Sequence, residues 1–237
     1  MKDITLRHLK HKIKISVDSY PRIYLPFCRI RRSTRHKTVA RGTDVVIEGF
    51  PRSANSFAFL AFQFAQKREI NIAHHLHAPA QLIAAANWSI PAIVLIRNPM
   101  DAVVSLMIRD PYMTPERGLS DYIHFYSKIR PYKDNFIAGT FEKITDDFGS
   151  VVERLNRQFS TDFEVFNHNE RNEEKVFKEI EKLKIMAPNE DKEEAVSRPS
   201  EYREKKKAEA RERLNCKRVD EIKSGAVEVY KEFIEPP

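Results

Sequence analysis

From Asp44 onward, apolar and polar positions alternate in blocks that spell strand and helix by turns. DVVIEGF is a short continuous apolar run closed by a glycine, the pattern of a strand buried on both faces of a parallel sheet. It passes through a turn into NSFAFLAFQFAQK, which predicts a helix with Asn55 and Ser56 in its first turn. HAPAQLIAAANWS predicts a second helix with Pro79 at its start, IPAIVLIRN a second buried strand, and PMDAVVSLMIRD a helix opening on Pro99. LSDYIHFYSKIRPY is amphipathic and helical, FIAGTFEKI strand-like, and DFGSVVERLNRQF helical. This alternation predicts an α/β fold with a parallel sheet and helices on both faces.

The flanks read differently. Before Asp44, ISV and IYLPF look strand-like or buried, and RIRRSTRHK looks like an exposed loop. After Asn167 the chain is mostly charged helix, in EEKVFKEIEKLK, EYREKKKAEARERLN and VDEIKSGAVEVYKEF. MAPNEDKEEAVSRPS, polar and acidic with two prolines, predicts a loop between the first two of these. The apolar positions of the late helices recur at helical spacing, so they are expected to pack back on the sheet. The organisation expected is one domain over 1–237: a basic arm at 1–43, an α/β core at 44–167 and charged helices at 168–237.

Charge sharpens that division. The chain carries a formal net charge of +7, yet residues 1–41 hold twelve Lys or Arg against two Asp, an excess of +10, so the remainder sums to −3 (7 − 10). The arm suits an anionic membrane surface, nucleic acid or an acidic substrate, or is a solvated basic face. Two distant cysteines, Cys28 and Cys216, make neither a disulfide framework nor a metal cluster. No apolar run is long enough for a membrane span, and the N-terminus lacks a signal-peptide core, so a cytoplasmic location is expected.

The chemistry gathers at the strand ends. A phosphate-binding loop reads G-x-x-x-x-G-K-[ST], and Gly49 to Ser56 keeps its first glycine and final hydroxyl. Ala54 stands for the second glycine and Asn55 for the lysine. Backbone N–H groups at the helix N-terminus still form an anion site there, and Arg52 supplies the positive charge from inside the loop. The second strand ends in Arg97, where a triphosphatase carries an acid that holds magnesium. Ser105, eight residues on, lies two helical turns away and is expected to join Arg97 in gripping a second, separate anion. Two anion sites and no metal is the expectation.

At this point the residues resemble a known family. GFPRSANSF is similar to the 5′-phosphosulfate loop of sulfotransferases, and VLIRNPMDAVVS to their 3′-phosphate motif. The resemblance covers residues 44–109 well, is weaker to about 166 and slight elsewhere. It implies a three-layer fold of the phosphate-loop nucleotide-hydrolase type, with 3′-phosphoadenosine 5′-phosphosulfate as donor, adenosine bisphosphate as product and no metal. It implies that Arg52 replaces the usual catalytic lysine and that Ser53, Ala54, Asn55 and Ser56 contact the 5′-phosphosulfate. Phe57 falls where the family stacks an aromatic ring on adenine, and Arg97 and Ser105 match the 3′-phosphate ligands. The G-x-x-G-x-W-K segment of many members is missing; SRPSEYREKKK is its candidate replacement, with Arg198 or Arg203 reaching back.

Transfer to an alcohol needs a base. His74, His75 and His77 precede the second helix, and the family's base sits in an H-x-P context that His77-Ala78-Pro79 matches, with Arg97 twenty positions on. His77 is therefore the expected base and His75 the runner-up; with neither Cys nor clustered carboxylates nearby, a zinc site is not expected. Phe59, Phe62, Phe64 and Trp88 read as core. Asp101 reads as a brace in the first turn of its helix, and Glu142 and Asp146 as structural. The function implied is sulfuryl transfer to a hydroxyl or amine of a carbohydrate, lipid or small metabolite. The rival readings are a small-molecule kinase of the same fold, and a non-catalytic module binding membrane or nucleic acid through its basic arm; specific nucleic-acid binding is not expected.

Overall fold

The computed structural model describes residues 2–110, 112–185 and 201–235. Among these, four strands form one sheet: β1 (Val45–Gly49), β2 (Ile72–His74), β3 (Ala92–Ile96) and β4 (Ile137–Thr140). All pairings are parallel and the order is β2-β1-β3-β4, so the two strands legible as buried apolar runs are the central ones. Both are buried along their whole length.

Alternation along β1 and β3 feeds two cores. Val45, Ile47, Ile93 and Leu95 face α3 (Asn55–Ala65), α7 (Phe141–Asp146), α8 (Phe148–Phe159) and α9 (Glu170–Ile185). Val46, Val94 and Ile96 face the other way, toward α4 (Pro79–Asn87), α5 (Pro99–Arg109) and α6 (Pro115–Ile129). The result is the expected α/β fold, a parallel sheet between two helical layers. The late helices pack back mainly on the helical layers rather than on the sheet itself: α9 on α3, α10 (Glu201–Leu214) on α5, and α11 (Asp220–Ile234) on α6. MAPNEDKEEAVSRPS, with Arg198, lies outside the described residues.

The N-terminal segments depart from expectation. ISV and IYLPF are helical, within α1 (Lys2–Val17) and α2 (Pro21–Ile30). Leu25 and Cys28 are buried on one side of α2 while Ile23, Phe27 and Ile30 are exposed on the other. That 3.6-residue periodicity overrides the strand preference of the β-branched and aromatic residues. FIAGTFEKI is divided: β4 ends at Thr140, whose side chain accepts from the Lys143 N–H and opens α7. Of the three phenylalanines expected in the core, Phe62 is buried, Phe59 half-buried and Phe64 exposed.

Candidate active site

Why the chain turns where it does is set by one glycine. A Cβ on Gly49 would lie 2.3 Å from the Leu95 carbonyl oxygen, so only glycine lets β1 end this close to β3. Beyond it the loop takes left-handed backbone twice, at Arg52 (φ 72°) and Ala54 (φ 65°), and Ala54 is the residue from which α3 starts. The Asn55 amide donates to the Phe50 carbonyl at 3.0 Å, and the buried Tyr126 hydroxyl donates to the Leu95 carbonyl at 2.7 Å, bracing loop and strand end. The first turn of α3, whose N–H groups have no partner within the helix, therefore opens beside a fixed turn.

Arg52, Arg97 and Ser105 meet. Arg52 Nε donates to Ser105 Oγ at 2.9 Å, and an Arg97 guanidinium N–H donates to the Arg52 carbonyl at 3.1 Å. Arg97 lies 3.8 Å over the Phe141 ring, and its carbonyl accepts from the Tyr122 hydroxyl. Ser105 is thus bonded to the loop arginine, which brings the two expected anion-gripping groups together around one cavity of about 410 Å³.

Arg52, Ala54, Asn55, Ser56, Phe57, His77, Arg97 and Ser105 all line that cavity. Ser53 is fully buried and off its wall. Phe57 is largely buried, its ring packed against Phe166, His168 and Phe177. Arg198 lies outside the described residues, and α10 instead brings Lys207 and Arg211 to the wall, with Arg109 from α5. Arg211 pairs with Asp101 at 3.2 Å, so the expected brace of α5 reaches across to another helix; the α5 cap itself is Asn98. Among the described residues the wall carries five Lys or Arg against the carboxylates of Asp101 and Glu181, an excess of positive charge.

The histidines divide into a bonded pair, His74 buried and His75 half-buried on the cavity wall, and a held ring. His74 stacks on Phe59 at 3.8 Å and shares a 2.6 Å hydrogen bond between Nδ1 atoms with His75, whose Nε2 lies 3.2 Å from Ser56 Oγ. Burial first, then neighbouring positive charge, pushes His74 down to about 2 and His75 to about 4, so both rings are neutral at pH 7. His77 is different. Its Nδ1–H donates to the Gly49 carbonyl at 2.8 Å, which leaves the Nε2 lone pair of the neutral ring as its proton acceptor.

Behind His77 stands Glu48, fully buried in the middle of β1. One carboxylate oxygen lies 3.5 Å from His77 Nδ1 and accepts from the Gly49 N–H. The other accepts from the N–H groups of Leu76 and His77 and from the Gln81 amide. Burial raises its pKa, but the hydrogen bond from His77, the charges of His77 and His75 and the Gly49 N–H together outweigh that and hold the carboxyl below its ordinary value. No loop motif marks this residue. The available signal was a glutamate inside an otherwise apolar strand, since a carboxylate so placed must be paired. The arrangement presents cations, the N–H groups of a helix N-terminus and an imidazole held through Nδ1 at one cavity.

No protein-family profile and no characterised protein matches the chain in sequence. Among solved structures, a mouse sulfotransferase, SULT7A1, complexed with PAP, matches at 14% identity and a TM-score of 0.44, over 81% of this chain and 91% of that one.

Proposed function

We propose that this protein transfers a sulfuryl group from 3′-phosphoadenosine 5′-phosphosulfate to a hydroxyl or amine, with adenosine bisphosphate as the product. The observation that carries the reading is the meeting of Arg52, Arg97 and Ser105 at one cavity with His77, whose Nδ1 is committed to Gly49. The wall fits such a donor, here a substrate consumed in the reaction. Its cations outnumber its carboxylates, and its volume falls in the range of small-molecule sites, roughly 300–1,000 Å³.

The donor supplies the activated sulfuryl group, and each residue has a matching task. Arg52 and the N–H groups opening α3 hold the phosphosulfate end, with Asn55 and Ser56 beside them; Arg97 and Ser105 hold the 3′-phosphate. His77 Nε2 takes the proton from the acceptor as its oxygen or nitrogen bonds to sulfur. Arg52 and the loop amides meet the charge that builds on the departing phosphate oxygen. Glu48 keeps the ring oriented. Acceptors of carbohydrate or lipid type suit this chemistry equally.

Calorimetric titration with 3′,5′-adenosine bisphosphate, against ATP with magnesium, tests the donor assignment. Selective binding of the bisphosphate is expected, weakened at least tenfold in Arg97→Ala, since a lost charge-assisted phosphate contact is worth about 1.5–3 kcal/mol. Preference for ATP with magnesium would overturn the reading in favour of a kinase.

A further inference from the structure

Seven of the eleven large apolar side chains exposed among the described residues fall between Leu6 and Ile30, each between 48% and 84% exposed. They are ordered. On α1, Leu6, Leu9 and Ile13 lie within an arc of about 60° at 100° per residue, and on α2 Ile23, Phe27 and Ile30 do the same. Tyr20, in the connection, is exposed between the two stripes. The opposite sides of both helices are occupied: His11 bonds Asp121 on α6, Lys14 bonds the His77 carbonyl, and Leu25 and Cys28 are buried in the core against α4. The stripes are therefore outward faces, not unfinished core.

Their borders are basic. Lys10 and Lys12 flank the α1 stripe on its two sides, Arg22 borders that of α2, and Arg31, over the Phe27 ring, and Arg32 follow its end, all exposed except for the cation–π contact of Arg31. Between residues 6 and 41 the sole acidic residue is Asp18, which is buried and bonded to His124. An apolar stripe edged by cations with no outward carboxylate is complementary to a surface that offers hydrocarbon below and negative charge above. A second copy of the chain is a poor fit. Joined through the same face it would set the two basic borders against each other, and the remaining exposed apolar residues, Phe64, Tyr112, Val165 and Ile234, stand on separate elements.

We infer that the outward faces of α1 and α2 form a docking surface for an anionic phospholipid bilayer, with the apolar stripes sunk into the headgroup boundary and the bordering Lys and Arg among the lipid phosphates. Among the described residues no helix is long and apolar enough to cross a membrane, so this contact lies on the surface. It is independent of the sulfuryl-transfer reading, and either stands if the other falls.

Co-sedimentation of the full chain with vesicles tests it, comparing phosphatidylcholine alone with equal parts phosphatidylcholine and phosphatidylserine. Binding to the anionic vesicles is expected, with little to the neutral ones. The exposed triple variant Leu9→Ser/Ile13→Ser/Phe27→Ser should weaken it on the order of tenfold or more. Arg31→Glu/Arg32→Glu should lower partitioning about fivefold or more for each charge removed. Far-UV circular dichroism and thermal melting of the same variants report the integrity of the fold separately. Equal binding by the triple variant, or no binding of the native chain to anionic vesicles, would overturn the inference. So would a dimer in sedimentation velocity that the triple variant abolishes while vesicles go unbound.

Discussion

Glu48 illustrates how much a single side chain can organise. Among the described residues four donors converge on its carboxylate, and the titratable ring of His77 stands against it at 3.5 Å. The carboxylate is therefore argued to act through His77 as a positioning residue. Glu48→Gln retains shape but turns an acceptor into a donor facing N–H groups, and should destabilise the fold by about 2 kcal/mol in denaturant titration. It should also lower kcat tenfold or more while the affinity for adenosine bisphosphate is unchanged. An equal loss in binding and turnover would mean that its role is only architectural. In the sequence the H-A-P context marks His77 as a candidate, whereas the place of Glu48 is not legible, because burial and the convergence of distant N–H groups are properties of the closed fold.

At the level of elements, the legible parts were those whose pattern is local. β1, β3, α4 and α5 declare themselves by continuous apolar runs or by proline at the first turn. β2 does not, since three residues ending in histidine carry no period, and its strand character comes from pairing with β1. The N-terminal helices are obscured for a related reason: IYLPF is rich in strand-favouring residues and contains Pro26, and only the one-sided burial of α2 reveals its period. Within the anion loop, Ala54 occupies a left-handed backbone at the start of α3 where most motifs place glycine. Replacing it relieves a strain that a Cβ imposes at positive φ. Ala54→Gly should therefore raise stability by about 0.5–1 kcal/mol, read as a higher denaturant midpoint with unchanged slope. A lower midpoint would show that the flexibility gained by the unfolded chain outweighs the strain.

Across the whole molecule, buried histidines make stability depend on acidity. The sign follows from proton counts. His74 and His75 stay neutral in the fold down to about 2 and 4, whereas their unfolded counterparts protonate near 6.5, so below 6.5 the unfolded chain binds more protons and stability falls. Asp121 works in the opposite sense: burial raises it to about 6, so the fold takes up its proton earlier than the unfolded chain does. Two large histidine shifts outweigh one carboxylate shift. Moving from pH 7 to pH 5 should remove on the order of 2 kcal/mol, measured as a drop in Tm, and His74→Gln/His75→Gln should flatten that dependence. A Tm that stayed constant or rose over this interval would count against neutral buried rings.

The histidine loop is tied to the N-terminal helix. The Lys14 ammonium holds the carbonyl of His77 at 3.0 Å, and the carbonyl of Asp18, at the end of the same helical stretch, accepts from the Ala80 N–H at 2.8 Å. The segment that carries His77 is thus clasped from outside the α/β core by residues that precede every sequence motif of the cleft. A shortened chain that began at Asp44 would keep each motif residue and lose the clasp. Sequence motifs would mark it as intact, while its histidine loop, with left-handed backbone at both His75 and His77, would have lost the outer half of its support.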